Sequence, residues 1–179
     1  SGTVLLIAAL GLAVTGFGHA TAAPGADWSR MIVRAAPGDS RVEPAPLNQE
    51  TQAGPWMLTV LEVVTGDAAT QRVTAASQFN ESPADGFTYV VVRVRAANGG
   101  DRPLAIDGND FAVTGSSGLV RRFIAAVPPD PALDGTVAPG ETKEGWVVGG
   151  AAVDEQNLLL LFDSITLTGS WADRVFALQ

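Results

Sequence analysis

The stretch FTYVVVRVRAA, Phe87 to Ala97, decides the fold. Val90, Val92, Val94 and Ala96 alternate with Tyr89, Val91, Arg93 and Arg95, and a period of two sends successive side chains to opposite sides of a pleated strand. The valine face is apolar throughout, so the expectation is a core strand of an antiparallel sheet with one buried and one solvated face. Asn98-Gly99-Gly100-Asp101 closes the strand with residues that tolerate positive φ. On its other side lies QRVTAASQFNESPADG, Gln71 to Gly86, which reads as a long polar connection whose Ser82-Pro83 and Asp85-Gly86 are turn formers.

Upstream, WMLTVLEVV at Trp56–Val64 has the β-branched content of a strand, with alternation that falters around Glu62 before Thr65-Gly66-Asp67 ends it. Downstream, short strands are expected at Leu104–Ile106, Phe111–Thr114, Leu119–Ala125, Gly145–Val148, Leu158–Phe162 and Arg174–Leu178, with Gly115-Ser116-Ser117-Gly118 as a hairpin turn. NLLLLF, Asn157 to Phe162, is apolar on both faces and suits either a doubly covered strand or an edge docked on a partner. Many short strands joined by Gly, Pro and Asp turns, with no soluble helix evident, predict an all-β sandwich over residues 56–179.

Length and composition set the function classes. A chain of 179 residues with 46% hydrophobic content supports one domain with a sizeable core and room for appendages. A net charge of -8 argues against nucleic acid, whose affinity depends on clustered Lys and Arg neutralising phosphates. There is no cysteine, hence no disulfide, thiolate metal site or lipid-bearing Cys. The one histidine, His19, falls in the N-terminal apolar run, which leaves carboxylates, Lys143 and Tyr89 for acid-base work elsewhere. An enzyme is therefore not expected, and no cofactor is assigned.

That apolar run, TVLLIAALGLAVTGFGHATAA from Thr3 to Ala23, is uncharged and about as long as the roughly 20 residues that cross a bilayer as a helix. A single transmembrane helix over 1–23 is the expectation. A cleaved signal peptide, with Ala20-Thr21-Ala22 as its cleavage pattern, is the alternative. Read as a helix, Ala8, Gly11, Thr15, Gly18 and Ala22 form a stripe of small residues that admits close helix-helix packing, although an Ala-rich chain produces such stripes by composition too. His19 near the end of the span is a weak candidate for haem or chlorophyll ligation. An interfacial hydrogen bond is its ordinary role.

Residues 24–55 are rich in breakers, among them Pro37, Pro44 and Pro46, and read as an extended linker. Within it, Trp28, Arg30, Met31, Ile32 and Arg34 suit a short interfacial helix, an edge strand or a partner contact. Arg30, Arg34 and Arg41 would by the positive-inside rule favour the cytoplasmic side. Asp107, Asn109 and Asp110 in the run Asp-Gly-Asn-Asp gather oxygen ligands and are a weak candidate for calcium, against turn formation. Arg93, Arg95, Arg121 and Arg122 are a candidate basic face for a partner's acids.

Taken in order, Trp56-x-Leu58-Thr59-Val60, then Phe79-Asn80-x-x-Pro83-x-x-Gly86-x-x-Tyr89-Val90-x-Val92-x-Val94, then Asn98-x-Gly100-x-x-Pro103-Leu104 and Phe111 form a recognisable set. Pro139-Gly140-x-x-x-x-Gly145-Trp146-Val147-Val148 and Phe176-Ala177-Leu178 extend it. The set resembles a bacterial immunoglobulin-like domain family of unknown function, found in secreted proteins and lipoproteins and akin to the mycobacterial secreted immunoprotective antigen. The resemblance covers about residues 54–178 and implies an extracytoplasmic β-sandwich, with Pro139-Gly140 as a turn and Trp146 as a core filler. Unlike the lipoprotein members, this chain has no Cys after its apolar segment, so a helix must serve as anchor. The joint expectation is a non-catalytic, single-pass membrane protein whose extracytoplasmic domain binds and stabilises a larger membrane assembly. Photosynthetic or respiratory complexes are the first to consider, and a secreted binding module is the alternative.

Overall fold

The structure, a computed structural model, describes residues 36–122, 124–162 and 174–179. The expected transmembrane helix with Ala8, Gly11, Thr15, Gly18, His19 and Ala22, and the segment with Trp28, Arg30, Met31, Ile32 and Arg34, lie outside the described residues. Among the described residues no helix is long and apolar enough to cross a membrane.

The described part is predominantly β and builds a sandwich from antiparallel sheets. In the first sheet, β1 (Thr51–Ala53), β2 (Trp56–Thr65), β3 (Phe87–Asn98) and β7 (Thr142–Ala152) lie in that order. In the second, β5 (Phe111–Thr114), β8 (Leu159–Phe162) and β9 (Arg174–Ala177) lie side by side, while β4 (Leu104–Ile106) and β6 (Gly135–Val137) form a two-stranded ribbon. The core forms where Val90, Val92, Val94 and Ala96 of β3 and Val147 of β7 pack with Phe111, Val113, Leu160, Phe162 and Phe176. This is the apolar face legible in the sequence.

The faltering alternation of β2 has a cause in its pairing. Val60 faces Val94 and Glu62 faces Arg93, so Leu61 is the extra residue of a bulge. A bulge inserts one residue against none and reverses the parity of the strand, so buried Trp56, Leu58 and Val60 are followed by Val63 rather than Glu62 on the inner side.

Several expectations are corrected. The connection after β2 contains a helix, α1 (Gly66–Ala76), which buries Ala69 and Val73. Its two buried residues are four apart and so share one face, a stripe too narrow to announce itself among polar neighbours. Tyr89, Val91 and Trp146 lie under that face, so the side of β3 expected in water is covered at its N-terminal end. Trp146 accordingly fills a second, smaller core outside the sheet, capped by the Arg72 guanidinium 4.4 Å from its ring centroid.

Of the stretch read as a linker, residues 36–55 are integrated in the sandwich: β1 pairs with β2, and Ala45, fully buried, exchanges hydrogen bonds with Val175 and Ala177 along β9. Leu119–Ala125 is not a strand over its described residues, and its described residues pair with a strand only through the bridge of Arg121 to Val113. Leu159–Phe162 is the middle strand of its sheet, not an edge, with Leu160 and Phe162 buried. Irregular chain also lies along the outer strands β9, β5 and β7, where Ala45, Arg121 and Ala132 make one-residue bridges. Such covering deters strand-to-strand association.

Candidate groove beside the first sheet

After α1 the chain turns through Ser77 to Gly86, and hydrogen bonds fasten this loop at its middle, at Asn80 and Glu81. Asn80 donates through Nδ2 to the Val73 C=O at 2.7 Å and to the Val127 C=O at 2.8 Å, and its Oδ1 accepts the Val127 N–H at 2.8 Å. The Tyr89 hydroxyl donates to the Glu81 C=O at 2.9 Å. With Asn80 held inward, its neighbour Phe79 is turned outward and is 81% exposed.

The facing wall comes from the loop after β5. Glu155 accepts the Ser117 N–H at 2.6 Å, the Ser117 hydroxyl at 2.7 Å and the Ser116 hydroxyl at 3.0 Å, which fixes the Gly115–Gly118 turn. The Ser117 N–H, then its hydroxyl, stabilise the charged carboxylate and hold the Glu155 carboxyl below its ordinary range, with Ser116 and Arg121 adding to the effect. From this fixed turn the chain runs to Val120 and to Arg121, whose guanidinium lies over the Phe87 ring, 4.8 Å from its centroid.

Between the two walls is a groove of about 580 Å³. Phe79, Phe87 and Val120 rim it, and Tyr89, Ile124 and Gly150 lie deeper. Phe87 and Val120 are each 42% exposed, and Leu119 beside them is 60% exposed. Large apolar groups cost free energy in water, at roughly 25 cal/mol per Å² of surface, so such a cluster is a surface suited to burial against another molecule. What the groove offers chemically is apolar area with one guanidinium, Arg121, and one carboxylate, Glu81.

The residues singled out in the sequence fall elsewhere. Asp107 and Asp110 cap a 3₁₀ turn at Gly108–Asp110: the Asn109 N–H donates to Asp107 at 2.7 Å and the Asp107 N–H to Asp110 at 3.0 Å. Asp134 accepts the Gly108 N–H at 2.9 Å. These oxygens thus serve the turn, as its residue types allow, and among the described residues no group of three or more His, Cys, Asp or Glu is placed to hold a metal ion. The four arginines do not form one face. Arg93 and Arg95 both pair with Glu144 on β7, at 3.0 and 2.6 Å, so their acid is the chain's own, while Arg121 belongs to the groove. Phe79 was legible as a motif residue but not as a site. The signal available was a lone large aromatic in an otherwise polar, turn-rich stretch.

Residues 45–172 match the family model described as a domain of unknown function, DUF4352. Among solved structures, the candidate lipoprotein ycdA of Bacillus subtilis aligns at TM-score 0.54 and 17% identity, over 72% of this chain and 37% of that one. The yjhA protein of Bacillus subtilis aligns at TM-score 0.51 and 12% identity, over 75% of this chain and 99% of that one. MPT63, a secreted protein of Mycobacterium tuberculosis, aligns at TM-score 0.48 and 12% identity, over 74% and 95%. No curated protein matches the sequence. The chain spans little more than a third of the ycdA chain, and at these identities the likeness is one of fold.

Proposed function

The chain belongs to the DUF4352 family, and from that premise we propose that it is a non-catalytic accessory subunit, anchored by a single N-terminal helix, whose immunoglobulin-like sandwich docks on a larger membrane assembly outside the cytoplasm. The observation that carries this reading is the groove with Phe79, Phe87 and Val120 exposed on its rim. Hot spots of association are few, central and often aromatic, and this rim supplies two phenyl rings beside an arginine. Support for the membrane tether is the uncharged run Thr3–Ala23. Support for an extracytoplasmic site is the fold shared with the candidate lipoprotein ycdA. The partner assemblies to search first are pigment-bearing photosynthetic and respiratory complexes.

Purification of the full chain from its own membranes in mild detergent tests the reading. The expected result is a stoichiometric membrane partner that is lost from the Phe79→Ser, Val120→Ser double variant. A lone monomer, or a partner retained by the double variant, overturns it. The pattern Ala20-Thr21-Ala22 favours a second reading, a secreted binding module using the same groove. Sequencing the mature N-terminus separates the two, since a start at Ala23 belongs to the secreted form.

A further inference from the structure

Apolar area alone does not select a partner, and the one cation in the groove adds a chemical requirement. Arg121 is fixed twice: its backbone exchanges hydrogen bonds with Val113 at 2.8 and 2.9 Å, and its guanidinium lies on the Phe87 ring. A guanidinium held over a ring keeps its N–H donors, which form the planar fork that matches a carboxylate. Among the described residues no carboxylate forms an ion pair with Arg121, in contrast to Arg72, Arg93, Arg95 and Arg174, which each pair with an acid of the chain. The Glu155 carboxylate feels the Arg121 charge but is itself engaged by the Ser116 and Ser117 donors and forms no ion pair with it, so among the described residues Arg121 stands beside the apolar hollow with no acid of the chain clamped to it. Glu81 lines the same groove, so with Arg121 it carries one charge of each sign.

We propose that the groove takes a segment of a protein partner in which an aromatic or branched aliphatic side chain is followed at once by a carboxylate, the apolar group entering between Phe79 and Val120 and the carboxylate meeting Arg121. This inference rests on the docking role argued above and names the chemistry of the docked segment.

Fluorescence anisotropy of the full chain in mild detergent, titrated into two labelled peptides, tests it. One peptide is acetyl-Leu-Phe-Asp-amide and the other replaces Asp by the isosteric Asn. A charge-assisted fork is expected to make the Asp peptide bind about five- to tenfold tighter at low salt, with the difference shrinking as salt screens it. Arg121→Gln is expected to bring the two peptides to equal affinity without moving the unfolding midpoint, and Arg121→Lys to leave a reduced difference. Equal affinity of the two peptides for the unaltered chain overturns the carboxylate inference while leaving groove docking intact. Binding of neither, or binding that survives Phe79→Ser, overturns both. Where Arg121→Gln fails to fold, the Asp-Asn difference in the unaltered chain and its salt dependence decide the matter.

Discussion

Asn80 is bonded to the backbone of Val127 in both directions, accepting its N–H and donating to its C=O, each at 2.8 Å. This is the pairing one strand residue makes with another, carried out by a side chain. It ties the loop after α1 to the segment that follows the groove's second wall.

Asn80→Ala removes three hydrogen bonds, one part-buried to the Val73 C=O and two exposed to the backbone of Val127. At about 1 kcal/mol per bond, with the two exposed ones largely replaced by water, the expected loss is about 1 kcal/mol in urea unfolding. Faster amide exchange at Val127, with β3 unaffected, is the local signature.

Phe79→Ser has the opposite profile. The ring is 81% exposed, so the fold loses little, within about 0.5 kcal/mol. Partner binding is expected to fall while the unfolding midpoint holds, a separation that no core substitution produces.

Glu155 sets a pH dependence for the Gly115–Gly118 turn. Its folded pKa lies below the unfolded one because the Ser117 and Ser116 donors favour the charged form. The clamp's contribution is therefore complete above the unfolded value and is lost as pH falls through the lower, folded value. Protection of the Ser117 amide is expected to persist below pH 4.5, the ordinary value of this carboxyl, and then to collapse. Glu155→Gln abolishes the step.

Gly145 sits where the chain at Ala132 and Leu133 runs alongside β7, and a Cβ there would collide with the backbone of both residues. Backbone cannot swing aside as a side chain can. Gly145→Ala is expected to cost about 3 kcal/mol or more, at the upper end of overpacking, read from thermal unfolding.

Trp146→Ala empties the small core under α1, where Ala69, Val73, Tyr89 and Val91 meet the indole. About 3–5 kcal/mol is expected to be lost, with α1 amides exchanging first. Arg72→Ala removes the cation over the ring and its bond to Glu62, a loss of about 0.5–1 kcal/mol.

The periodicity of residues 87–97 determined by itself that β3 would carry a valine face into a sandwich core, because side-chain direction in a strand follows from backbone geometry alone. The turn at Asn98–Asp101 was legible from local backbone preference, and the ordered motifs carried the family and with it the turn at Pro139-Gly140. Helix α1 was not: its buried face consists of Ala69 and Val73, which pack on Tyr89 and Val91 of β3 and on Trp146 of the distant β7. The three-residue strands β1 and β6 are too short to show a period, and a bulge at Leu61 erased the one in β2. The groove lay beyond any local reading, since Phe79, Phe87, Val120 and Arg121 are ordinary residues until Asn80 and Glu155 fasten two loops face to face. Local chemistry chose most strands and turns of this protein and the buried face of β3, whereas long-range packing decided where α1 forms and which apolar side chains of the loops stay exposed.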